Sequence, residues 1–269
     1  MIRGLTLLTL ILCITNVGTA QRYKLVWADE FNKDGAPDPA NWRPETGFAR
    51  NEELQWYQLA NAHIEKGMLV IEACKEQMPN PGYVEGSHDW RKNRPFITYT
   101  AASIKTEGLQ SWKYGRFEMR GRIPVDQGLW PAWWTLGEKG QWPSNGEIDI
   151  MEYYKGKLLA NIACGTSKAY KAEWYSNTRP VDSAWAAKFH VWRMDWDEKA
   201  IALFVDDTLL NRVELNKLQN KDGTGINPFM QPHYMLLNLA IGGMNGGDPG
   251  NTTFPKRFEI DYVRVYQKQ

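Results

Sequence analysis

The chain has 269 residues, enough for one large all-β domain with a full core. Its formal net charge is +1, and once Arg3 is set aside the basic and acidic side chains balance at 31 each, which excludes a nucleic-acid surface or a polybasic membrane patch. Thirteen tryptophans are more large flat faces than a core needs.

Arg3 precedes an apolar run from Leu5 to Ile14, and the small residues Gly18, Thr19 and Ala20 precede Gln21. This is the pattern of a secretory signal peptide over residues 1–20, cut after Ala20, and its run is too short to span a bilayer. Leu12 ahead of Cys13 is not the small residue that a lipoprotein site wants. A secreted or periplasmic chain follows, with residues 21–269 as one domain, no membrane span and a monomeric state. Cys74 and Cys164 read as buried free thiols rather than a disulfide framework.

From Tyr23 onward short strands and turns replace any sustained helical period. Tyr23 to Phe31 is a strand, and the segment from Asn41 to Tyr57 reads as polar loop. Ala62 to Lys66 and Met68 to Lys75 form a hairpin with Gly67 at its turn. Gln77 to Phe96, rich in proline, glycine and charge, is a surface loop and a candidate cleft wall. Strands are expected at 98–106, 114–123, 128–136, 158–164, 189–196, 200–205, 209–214, 234–240 and 258–267. Leu215 to Phe229 reads as a polar loop with one helical turn, and Gly242 to Pro255 as a glycine-rich loop. The pattern predicts an all-β fold of two stacked antiparallel sheets.

The segment Glu147-Ile148-Asp149-Ile150-Met151-Glu152 carries the chemistry. Strand alternation sends Glu147 and Asp149 to one face and the isoleucines to the other. Glu152 breaks that parity, and a one-residue bulge at Ile150–Met151 restores it. Charges are rarely placed on the inner face of a strand without a partner or a role. Two carboxylates flanking a glycosidic bond suffice for hydrolysis, and a third can hold the general acid protonated. Trp130 and Trp134 share a face by period two and, with Trp142, suit sugar stacking. Trp133, Trp192 and Trp196 read as core. His190 reads as a hydrogen-bonded structural residue, and His63, His88 and His233 lack zinc spacing.

Those six residues resemble the bulged signature of family 16 glycoside hydrolases of the laminarinase-like branch. Leu25 to Phe31, Asn51 to Tyr57, Gly67 to Ala73, Tyr114 to Glu118, Gly128 to Trp134, Phe189 to Trp192 and Asp261 to Tyr266 are similar to further blocks of that family. The resemblance implies a concanavalin-like β-jelly-roll sandwich with an open concave cleft. It also implies endo-acting, retaining cleavage of β-linked glucans or galactans. Glu147 is implied as nucleophile, Glu152 as general acid/base and Asp149 as the assisting acid, with Arg116, Trp130, Trp134, Trp142 and Asn238 lining the cleft. No cofactor is needed for the chemistry. Many members carry a structural calcium ion, and its ligands by position are the Asp261 side chain and the carbonyls of Glu30 and Gly67, a donor set suited to calcium.

Two segments, both of which the resemblance places at the border of the cleft, depart from the pattern. Asn161 to Gly165 lacks the histidine usual in laminarinases, and Gly242 to Gly247 lacks the usual tryptophan. The acids are untouched, but the glycan is opened to alternatives. The leading expectation is a β-1,3 or mixed β-1,3/1,4-glucan. An endo-β-galactosidase acting on mucin-type or algal galactans is the rival, a glycan-binding lectin is a second class, and a transglycosylase shares the same nucleophile.

Overall fold

The computed structural model describes residues 23–269, so the signal-peptide expectation lies outside the described residues. Two sheets stack face to face. The seven-stranded sheet runs, in spatial order, Ala172–Pro180, Lys157–Gly165, Glu147–Tyr154, Leu129–Gly137, His233–Ile241, Ser103–Lys105 and Arg43–Pro44. The ten-stranded sheet is built around Gly115–Arg122 and Lys256–Lys268, which pair antiparallel. This is the expected jelly roll, with the seven-stranded sheet as the cleft floor.

Between the sheets lies the core. Trp133, Trp192, Trp196, Phe117 and Phe258 are fully buried there, beside Ile148, Ile150 and Met151 of the acidic strand. Their indole N–H groups (Trp133, Trp192 and Trp196) find no partner. Each leaves a cost of about 1–3 kcal/mol, offset by the ring area that these side chains remove from water.

The Ala62–Glu65 and Met68–Pro79 strands form the expected hairpin, with Lys66 and Gly67 both at positive φ, the requirement of a two-residue type I′ turn. The single strand expected at 98–106 is two. Phe96–Ala101 belongs to the outer sheet and Ser103–Lys105 to the cleft sheet, so the chain changes layers at Ala102. Ala172–Pro180, an exposed and largely polar edge strand, has no counterpart among the expected elements, because an edge strand bearing little buried surface lacks the alternation that marks the others. Cys74 and Cys164 are free thiols, one on each sheet. His190 bridges Asp206 and the Trp185 carbonyl, as a structural histidine does.

Candidate active site

The acidic strand carries the expected bulge. Asp149 lies opposite Trp134 on one side and Asn161 on the other, and the register slips before Glu152, which faces Ala132 and Leu159. Ile148, Ile150 and Met151 therefore point into the core, while Asp149 and Glu152 are buried on the cleft face beside the half-buried Glu147. Two consecutive core residues are what a bulge supplies and a regular strand cannot.

Hydrogen bonds differentiate the three acids. The Trp142 indole donates to Glu147 Oε2. Trp130 Nε1 donates to Glu152 Oε1 at 2.7 Å. Asn161 Nδ2 lies 2.9 Å from Glu152 Oε2 and 3.1 Å from Asp149 Oδ2, so one amide nitrogen serves both carboxyl groups. Burial pushes the Glu147 carboxyl up, and hydrogen bonds from Trp142 and Asp149 with the Arg50 charge pull it back. Asp149 is held well above the carboxylate range by burial and by the charges of Glu147 and Glu152. Glu152 is pushed up to about 8, by burial first and then by Glu147, against the hydrogen bonds of Trp130 and Asn161. Like-charged neighbours in a dry site divide their protons in this way.

A cleft of about 690 Å³ opens above the strand. Trp130, Trp134 and Trp142 line it as expected, and Trp142 is 37% exposed. Asn238 lines a small adjoining pocket shared with Trp134 and the three acids, its Oδ1 accepting from Trp134 Nε1 at 2.7 Å and its Nδ2 donating to Tyr57 Oη at 3.1 Å. Cross-strand register gives the floor its order. Leu236, Trp134, Asp149, Asn161 and Ser176 form one row across five strands.

Arg116 does not line the cleft. It stands on the outer sheet, where Nε and Nη2 hold Asp195 at 2.7 and 2.9 Å and the guanidinium covers the Tyr23 ring. The arginine of the cleft is Arg50, from the polar segment ahead of Gln55–Tyr57. It pairs with Glu45, sits 5.2 Å over Trp134, and keeps a buried Nη1 without a protein partner. Asn161 and Asn245, from the two segments expected to border the cleft, line it too, and Trp174 and Tyr154 do so without having been anticipated. Trp174, 46% exposed on the unforeseen edge strand, is in register with Ala163 and through it with Glu147, which puts it about 10 Å from the acid at two strand spacings. Asn245 reaches the site because the Gly242–Gly247 turn packs flat on residues 51–54. A Cβ on Gly243, at φ +67°, would lie 2.6 Å from the Asn51 carbonyl oxygen, so only glycine admits this approach.

The three positions implied for calcium converge on the outer sheet. Ile260 pairs with Leu69 and Val263 with Asp29, which brings Asp261 beside Glu30 and Gly67. Asp261 Oδ2 accepts from Arg120 Nη1 at 2.5 Å. Among the described residues no group of three or more His, Cys, Asp or Glu side chains is placed to hold a metal, so a site here must be built mainly from carbonyls, as the implied set is. Its oxygen-only donors fit a hard cation.

A model of glycosyl hydrolases family 16 matches residues 54–264. The chain belongs to that family. A beta-glucanase of Rhodothermus marinus is 36% identical over 92% of this chain and 86% of its own length. Among solved structures, one described with endo-acting O-glycanases that initiate mucin breakdown, from prominent members of the human gut microbiota, matches with TM-score 0.84 and 35% identity, over 92% of this chain and 91% of the other. SCLam, a non-specific endo-beta-1,3(4)-glucanase, matches with TM-score 0.76 and 35% identity over 92% of each chain. The protein is thus a family 16 enzyme that hydrolyses glycosidic bonds within a glycan. Among the described residues no helix is long and apolar enough to cross a membrane.

Proposed function

We propose that this family 16 hydrolase cleaves internal bonds of β-1,3- or mixed β-1,3/1,4-glucan by double displacement, using Glu147, Asp149 and Glu152. Glu147 attacks the anomeric carbon while Glu152 gives its proton to the departing oxygen. Glu152, now a carboxylate, takes a proton from water, whose oxygen attacks the same carbon and frees Glu147. Asp149, kept protonated, donates to Glu147 and loosens as the ester forms. The observation that carries this reading is the unequal setting of two glutamates, one half-buried and one buried, on one bulged face. Trp142 and Arg50 favour the charged form of Glu147, while Glu152 keeps its proton near neutrality.

Trp130, Trp134 and Trp142 offer faces and N–H groups to the sugar, with Asn238 and Arg50 as polar contacts. Export and action as a monomer belong to the same proposal, export resting on the Arg3 and Leu5–Ile14 pattern. Digestion of laminarin, lichenan, agar-type galactan and mucin glycans, with mass analysis of products, tests the substrate. Oligosaccharides from laminarin or lichenan are expected, and cleavage of neither removes the glucan reading.

A specific observation favours a second substrate class. The Asn161–Gly165 segment lacks the histidine usual in laminarinases, the Met244 turn lacks their tryptophan, and the structure described with mucin-degrading O-glycanases matches over 92% of this chain. Galactose-containing products from mucin glycans in the same digestion would transfer the machinery, unchanged, to an endo-β-galactosidase.

A structural calcium ion held by Asp261 and the Glu30 and Gly67 carbonyls would tie the first strand to the hairpin turn and the last strand, far from the chemistry. An ion at a hundred times its Kd stabilises by about 2.7 kcal/mol. Chelation is therefore expected to lower Tm by roughly 5–10 °C, with activity at 25 °C retained and Asp261→Ala insensitive to the chelator. Identical melting curves with EDTA and with calcium would eliminate the site.

A further inference from the structure

We propose that Asn161 is a positioning residue for this reaction, which uses the two N–H groups of its amide to fix Asp149 and Glu152 relative to each other, to set which oxygen of Asp149 carries its proton and to receive the Glu152 carboxylate. The inference rests on the roles just assigned to the acids and assigns one to a side chain outside them.

The geometry supports the assignment in three ways. First, a primary amide nitrogen has two hydrogens, and Asn161 Nδ2 has two carboxylate partners, Asp149 Oδ2 at 3.1 Å and Glu152 Oε2 at 2.9 Å. Second, the orientation matters once Glu152 has given up its proton. A flip would then aim Oδ1 at the new carboxylate in a buried site, and an acceptor facing an anion there is costly. Third, Asn161 is 4% exposed, and its Oδ1 is buried with no partner. The site accepts an unsatisfied carbonyl, at about 1–3 kcal/mol, to keep both N–H groups on the acids.

Proton placement follows. With Asp149 Oδ2 accepting from Asn161, the proton of Asp149 belongs on Oδ1, the oxygen left for its hydrogen bond to Glu147. With Glu152 accepting from Trp130 at one oxygen and Asn161 at the other, its carboxylate is received at both ends after it has given up its proton. Glu147, Asp149 and Tyr154 share the strand with Glu152, and Arg50 and Glu53 approach from the segment over Trp134. The two flanking strands contribute to Glu152 only the neutral donors Trp130 and Asn161. Losing Asn161 therefore disfavours the Glu152 carboxylate and leaves the acid protonated to higher pH.

The test measures kcat and KM against pH for Asn161→Ala and Asn161→Ser in the full domain, beside Glu152→Ala. Asn161→Ala is expected to lower kcat roughly ten- to a hundredfold with little change in KM. The basic limb of kcat/KM should move up by about one pH unit. Asn161→Ser, whose hydroxyl donates one hydrogen bond, should fall between it and the parent. Both replacements are smaller than asparagine and face the cleft, and matching circular dichroism and Tm confirm their folding. A basic limb unmoved in both variants overturns the proposal, even if kcat falls, since lost packing alone leaves the titration of Glu152 in place. Glu152→Ala separates the two levels of inference. Normal hydrolysis by it refutes the acid/base assignment itself, whereas its loss with unmoved limbs in the Asn161 variants refutes only the role of Asn161.

Discussion

Glu147→Ala is expected to abolish hydrolysis, by roughly 10⁴-fold or more, on every glycan and with every leaving group. Without the carboxylate no glycosyl-enzyme ester forms, and leaving-group activation cannot restore the missing nucleophile. The fold should survive and Tm should stay level or rise. Burial already penalises the charged form of Glu147, and its strand is anchored by Ile148, Ile150 and Met151 in the core. Reducing-end release and a thermal melt on the same preparation check both parts. Parent-level turnover by this variant would refute the double-displacement reading.

Glu152→Ala should behave differently, which makes the pair diagnostic. Loss of general acid catalysis costs roughly 10²–10⁴-fold on a natural glycan, whose departing oxygen needs a proton. On an aryl glycoside with an acidic phenol the first step needs no proton, so the loss in that step should be small. The pH profile carries the same information. The first step requires ionised Glu147 and protonated Glu152. With Glu152 at about 8, kcat/KM of the parent should fall as pH rises through that value. Its acid limb should lie above the ordinary carboxylate range, because burial raises Glu147. Glu152→Ala should lose the basic limb. A limb near 8 that persists in the variant would assign it to another group.

The acidic strand was legible because parity is a local property. Glu152 lies five positions after Glu147, an odd offset that puts them on opposite faces unless a residue bulges out, and Ile150–Met151 were the apolar pair available to do so. The same logic separated Trp133, in the core, from Trp130 and Trp134, over the cleft. Arg116, placed at the cleft by the resemblance, is a position that local logic could not have checked. Its strand alternates cleanly, but alternation says that a side chain faces outward without saying from which sheet. The outward face of Gly115–Arg122 is the solvent side of the other layer, where Arg116 meets Asp195.

Trp174 and the contact of Asn161 with the acids were silent for a related reason. Each is unremarkable within its own segment, and each takes its meaning from the neighbour that register places beside it, Asp149 for Asn161 and Ala163, in line with Glu147, for Trp174. Arg50 lies in a polar stretch whose residues read as loop, and only the turn of chain over Trp134 makes it a cleft residue.

By itself, the sequence determined the all-β class, the family, the bulged acidic strand and the three carboxylates that share its face, because each depends on periodicity or on contiguous residues. Tertiary structure alone decided which arginine meets the cleft, where the edge strand with Trp174 lies, and that one asparagine amide joins two of the acids. Those facts depend on pairing between strands distant in the chain, and a side chain's neighbours across a sheet are set by register rather than by the residues beside it.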